Sequence, residues 1–184
     1  MNIILASSSP RRKELIKLIT ENYSVMPADV DETVPEDVPI CKASAYLAEL
    51  KAVSIAEKCP EAVVIGCDTT VICNGEILGK PADIEQCRRF MNMLSGTTHQ
   101  VITGCSIVKG LKKSTFSVST DVTFRKLNDD ETEKYIHSEE PYDKAGGYGI
   151  QGHGALLIEK INGDYFNVVG LPVSRLNCEL KKFI

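Results

Sequence analysis

Apolar residues recur along this chain at two spacings, and the alternation between them predicts its elements. A continuous apolar run at residues 2–6 reads as a buried strand, and Leu15, Ile16, Leu18 and Ile19 then follow at helical spacing. Ser9 is a good N-cap for that helix and Pro10 a good first residue, since the N–H that proline lacks would be unpaired there anyway. A short strand is predicted at 23–26, and an acidic, proline-punctuated loop at 27–39. Residues 41–58 have helix-forming composition, with Ala43, Leu47, Leu50, Val53 and Ala56 on one stripe. The run at 62–67 is the clearest buried strand. It continues through Thr69 to Cys73, turns at Asn74-Gly75 and returns through Leu78.

Asp83 and Gln86 have the spacing of a capping box for a helix reaching about Ser95, with Gly96 as its stop. Two long strands are predicted at 98–109 and 114–126, the second with Phe116, Val118, Val122 and Phe124 in partial alternation. Asn128 and Glu131 open another boxed helix to about Ser138. A glycine-rich loop at 139–154 precedes a strand at 155–161, an Asn162-Gly163 hairpin turn and a return strand at 164–169. Gly170-Leu171-Pro172 leads into a last helix. Strands and helices alternate early and hairpins dominate late, which predicts an α/β fold on a mixed sheet.

Bulk properties narrow the chemistry. A chain of 184 residues supports one substantial core, read as a single domain over 1–184. The net charge of -4 argues against a general nucleic-acid binder, so any anion must be held by a local cluster of cations. No apolar run has the length of a membrane span and no basic leader precedes a long apolar stretch, so neither membrane nor secretion is expected. The Asn22-Tyr23-Ser24 acceptor pattern is then a coincidence. Seven cysteines without a C-x-x-C pair read as reduced, structural thiols of a cytoplasmic protein, and three histidines lack zinc-ligand spacing.

Two positions carry candidate chemistry. Ser7, Ser8, Ser9, Arg11, Arg12 and Lys13 gather hydroxyls and cations at the start of the first helix, a natural anion site; a capped helix with solvated cations is the plainer reading. Asp68 ends the second buried strand as Ser7 follows the first, and ligands of open α/β sheets collect at that edge. If the two strands are parallel, the acid faces the anion site. That is favourable only with a divalent cation or a reacting water between them, an arrangement suited to metal-assisted attack on phosphorus. From the acidic loop, Asp31 or Glu32 is expected to turn inward to a metal or a cation. Gly147 to Gly152 fits G-x-G-x-x-G, yet no strand precedes it and no helix follows, so a dinucleotide reading is rejected.

Taken together, residues 5–12, 48–52, 66–69, 78–81, 94–99, 143–152 and 169–172 resemble the Maf-family nucleotide pyrophosphatases, in order and over nearly the whole chain. Cys67 departs from the small alanine or serine usual in that family. The resemblance implies an intracellular homodimer with a mixed central sheet flanked by helices, in two lobes with a cleft between them. It implies hydrolysis of dTTP, UTP and modified pyrimidine nucleotides to monophosphate and pyrophosphate, a house-cleaning role in the nucleotide pool. A nucleotide-binding regulator of cell division without turnover is the rival, and an ordinary phosphatase a third reading. By position, Asp68 is the expected base, Ser7, Arg12, Lys51 and Lys80 the phosphate ligands, and Glu32 with Asp68 the holders of a divalent ion, magnesium or manganese. Arg11, Thr69 and Gln151 are the expected selectors of the base; the related branch acting on 7-methyl-GTP has an aromatic, a Gln and a Glu there.

Overall fold

The computed structural model describes residues 2–184, which form two compact units. The first comprises residues up to 69, 103–118 and 170–184; the second comprises 70–102 and 119–169.

In the first unit, strand β1 (Ile3–Leu5) lies between β2 (Ser24–Val25) and the opening half of β3 (Val63–Cys73), parallel to both. The register pairs Ile3 with Val63 and Leu5 with Ile65, and the Ala6 N–H donates to the Ile65 carbonyl at 2.8 Å. Both strands are wholly apolar here because parallel strands are covered on both faces. Ser7 follows the end of β1, but Asp68 does not end its strand as expected: β3 outlasts β1 and carries Asp68 at its middle, three residues beyond Ile65, the last residue that β1 pairs.

Helix α1 (Pro10–Ile16) starts as expected, with the Ser9 hydroxyl accepting from the Arg12 N–H. It stops earlier than its apolar spacing predicts: the N–H groups of Leu18 and Ile19 bond three residues back, and Leu18 is exposed. Helix α2 (Ala43–Ala56) is rich in alanine, the best helix former, and lies unusually close to β3. A Cβ at Gly66 would stand 2.2 Å from the Ala48 carbonyl oxygen, so only glycine permits this approach. That closeness brings Lys51, buried on α2 with Ala48 and Ala52, to Asp68 at the middle of β3. Ile4, Ala6, Ala52, Ile55, Val64 and Val108 form the local core. Helix α6 (Val173–Leu180) completes the unit.

In the second unit the end of β3 pairs with β4 (Glu76–Leu78), antiparallel across Asn74 and Gly75, both with positive φ as a tight hairpin turn requires. Helix α3 (Ile84–Leu94) is capped by Asp83, while the Gln86 side chain accepts from Ala82 and not from Asp83, so the box is displaced by one residue. Strands β5 (Thr98–Lys109) and β6 (Lys112–Phe124) are joined by two residues and are therefore antiparallel. The full capping box of Asn128 and Glu131 opens α4 (Asp129–Ile136). The sheet order is β2-β1-β3-β5-β6 followed by β7 (Ile158–Asn162), with β4 beside β3. Val71, Leu78, Phe90, Met91, Leu94, Phe124 and Ile136 belong to the second core.

One expected hairpin is absent. Residues 152–157 form a 3-10 turn before β7 (Ile158–Asn162), and the segment expected as a return strand is a helix, α5 (Tyr165–Val169). The reason lies in Asp164: its carboxylate accepts from the Phe166 N–H, and its backbone exchanges two 3.0 Å bonds with the Thr120 hydroxyl on β6. An aspartate just after Asn-Gly is thus a helix cap, and it overrides the hairpin signal.

Candidate active site

Ser7 follows β1 directly, buried, and its hydroxyl accepts from the Ser9 N–H at 3.3 Å and from Arg12 Nη1 at 3.2 Å. Arg12 sits on the first turn of α1 and reaches inward. Its Nε donates to the Gly170 carbonyl at 2.8 Å, Nη1 also to the Cys67 carbonyl at 3.0 Å, and Nη2 to the Thr69 hydroxyl at 2.9 Å. Four of the five guanidinium N–H groups are spent on the protein, so one is left for a ligand. Arg12 therefore laces the ends of β1 and β3 to the segment before α6. Thr69 is held in turn by the Thr103 hydroxyl on β5, at 2.9 Å.

Asp68 lies opposite α2, where Lys51 Nζ stands 2.7 Å from its Oδ1 and 3.0 Å from Glu32 Oε2. The side chains of Lys51 and Asp68 are only 11% and 14% exposed, so their attraction is poorly screened. Burial nevertheless raises the Asp68 pKa above the ordinary carboxylate value. Lys51 and Arg12 oppose that rise, and Glu32 adds to it. Of the two acids expected to turn inward, Glu32 does so. Asp31 instead accepts from the N–H and hydroxyl of Thr33 at 2.9 and 2.6 Å, a local turn. Arg11 is half-buried on the first turn of α1.

Two carboxylates directed at one ammonium form a place built for positive charge, and their hard oxygens suit magnesium or manganese. Among the described residues no three His, Cys, Asp or Glu side chains gather to hold a metal ion.

Lys80 and Gln151 belong to the second unit. Lys80 is exposed just after β4, and the Gly146 N–H donates to the neighbouring Gly79 carbonyl at 3.0 Å, which ties the glycine loop to that segment. Gln151 is exposed on the loop. Sequence reasoning did not find Thr103 or Gly170 as supports of the site. A buried threonine inside the apolar run 101–105 was the available signal for the first; a carbonyl partner, as at Gly170, leaves none.

The Maf-like protein family model matches residues 2–183. The dTTP/UTP pyrophosphatase of Bacillus velezensis is 48% identical over 181 residues, covering 98% of this chain and 96% of its own. That of Bacillus pumilus is 45% identical with the same coverage, and that of Bacillus cereus 44% identical over 186 residues, covering 98% and 95%. Among solved structures, the Ham1 protein of Staphylococcus aureus matches with a TM-score of 0.57 at 18% identity, covering 100% of both chains. The HAM1 protein of Coxiella burnetii gives 0.58 at 14%, covering 99% of both.

Proposed function

The chain belongs to the Maf-like protein family, and from that premise we propose that it hydrolyses dTTP and UTP, with modified pyrimidine nucleotides, to the monophosphate and pyrophosphate. The observation that carries the reading is the pairing of Asp68 with Lys51 on β3 just beyond the end of β1, next to Cys67, whose carbonyl binds the Arg12 that also holds Ser7. Ionised Asp68 accepts a proton from water as the water oxygen attacks the α-phosphorus. The bond from that phosphorus to the bridging oxygen breaks, and pyrophosphate departs with the electron pair. Lys51, Ser7 and the remaining N–H of Arg12 hold phosphate oxygens, and Lys80 adds a cation for the leaving group. Asp68 and Glu32 would hold a divalent ion, magnesium or manganese, which when bound neutralises charge on the phosphate oxygens. Arg11, Thr69 and Gln151 select the base; the Gln151 amide offers both a donor and an acceptor, matching the O4 and N3–H edge of thymine or uracil. Removal of non-standard pyrimidine nucleotides before polymerisation is the role that fits this chemistry.

The test is product analysis with dTTP and manganese. Pyrophosphate release is expected, and Asp68→Asn should lower kcat by about a thousandfold while dTTP still binds. Release of single phosphates would make the protein an ordinary phosphatase, and tight binding without turnover under any divalent ion would make it a regulator.

A further inference from the structure

The loop that carries Gln151 is held by a carboxylate to which nothing above assigns a role. Glu140 is partly buried in the short 3-10 turn Glu140–Asp143. Its Oε2 accepts from the His153 N–H and its Oε1 from the Gly154 N–H, both at 2.9 Å. The Tyr135 hydroxyl of α4 donates to Oε1 at 3.2 Å and itself accepts from the Gly149 N–H. Tyr148 seats the other limb: its ring packs edge-on against Phe124 with centroids 4.7 Å apart, and its hydroxyl lies 2.6 Å from His99 Nε2.

The loop is thus pinned at 148–149 and again at 153–154, with Ile150, Gln151 and Gly152 spanning the gap. Two glycines make the clamp possible. At Gly152, φ is +73° and a Cβ would stand 2.9 Å from Glu140 Oε2; at Gly154, a Cβ would stand 2.1 Å from the Gly149 carbonyl oxygen. Consecutive backbone N–H groups turned onto one carboxylate form an anion nest, occupied here by the protein's own side chain. An amide whose job is to pair with a base edge must be held to fractions of an ångström, and for an exposed side chain on a glycine-rich loop that precision comes from the backbone that carries it.

We propose that Glu140 is a positioning residue for Gln151: by fixing the N–H groups of His153 and Gly154 it sets the loop apex from which the glutamine reads the base. This rests on the reading of Gln151 as the base selector. It makes Glu140 a determinant of pyrimidine specificity that touches no part of the nucleotide.

Equilibrium binding tests it without turnover. Dissociation constants for the α,β-imido analogues of dTTP and dGTP are measured by calorimetry for the wild type, Glu140→Gln, Gln151→Ala and the double variant. Glu140→Gln puts an amide N–H against a backbone N–H and should weaken the thymine analogue about tenfold and the guanine analogue less than about twofold. In the Gln151→Ala background the same change should cost less than about twofold, since its effect passes through Gln151. Tyr135→Phe, a milder cut to the same clamp, should move thymine binding about threefold in the same direction. Equal losses on both bases, or losses that multiply in the double variant, would overturn the proposal in favour of a purely structural anchor. A wild type that does not distinguish the two bases would remove the base reading and this inference with it. Base-selective binding without pyrophosphate release would remove only the hydrolytic assignment.

Discussion

Lys51 Nζ and Asp68 Oδ1 are 2.7 Å apart on a helix and a strand that a single glycine allows to touch. The pair is nearly dry, and the carboxylate still binds its proton more tightly than an ordinary aspartate because burial outweighs the nearby cations. Only the ionised form can accept a proton from water. Activity should therefore fall as pH drops, with the acid limb of kcat/KM lying above the ordinary aspartate value of 3.8. The same displacement weakens the fold as pH rises past that value, because the folded state holds the proton longer than the unfolded one. Lys51→Met removes the strongest opposing charge, so its acid limb should move to still higher pH. A pH–rate profile of both proteins checks this; a wild-type limb at or below 3.8, or one that Lys51→Met leaves unmoved, would count against Asp68 as the base.

Selection of the base makes a second prediction. Gln151→Glu replaces a donor and acceptor with acceptors alone, which no longer match the N3–H and O4 pair of a pyrimidine. The loss of kcat/KM on dTTP should reach about a hundredfold, against less than about tenfold on GTP. Initial rates of pyrophosphate release on both substrates decide it. Equal losses would mean that Gln151 does not read the base.

Much of this site was legible before any coordinates. The runs at 3–6 and 62–67 carry no polar side chain and each is followed by a polar residue, so a parallel pairing was enough to bring Ser7 and Asp68 to one end of β1, although β3 runs on past Asp68 to Cys73. The acidic loop was different. Asp31 and Glu32 are equivalent by composition, and they part only in the fold, where Asp31 closes a turn onto Thr33 and Glu32 pairs with Lys51. Helix α5 runs against its local sequence signal: Asn162-Gly163 is a strong turn pair, whereas the deciding Asp164–Thr120 contact spans 44 positions along the chain. Thr103 and Gly170 support Thr69 and Arg12 through bonds between distant segments, and periodicity carries no information about those.

His99 gives a prediction about stability. It is buried against Phe124 and Tyr148, with Nδ1 unpartnered, and burial pushes its pKa down to about 4 from 6.5. Between those values the unfolded state binds a proton that the folded state does not. The stabilisation is therefore full above 6.5 and is lost as pH falls toward 4. From pH 7 to pH 5 this single group should remove about 2 kcal/mol of folding free energy. Urea denaturation at the two pH values measures it, and His99→Gln should flatten that difference; a variant as acid-sensitive as the wild type would show that other groups control the loss.

Arg12 and Lys80 are both proposed to hold phosphate, yet their surroundings predict different behaviour. Arg12 makes four hydrogen bonds to Ser7, Cys67, Thr69 and Gly170, in a planar fork that a lysine cannot reproduce. Arg12→Lys should keep the charge but leave carbonyls unpaired, costing about 2–3 kcal/mol of stability and about 5–10 °C in Tm, along with activity. Lys80 is exposed, so Lys80→Ala should lower kcat/KM on dTTP while leaving Tm within about 1 °C. Calorimetric melting beside pyrophosphate-release kinetics separates the two. If Arg12→Lys melted with the wild type, the lacing of β1, β3 and the segment before α6 would have no energetic weight, and Arg12 would be a phosphate ligand alone.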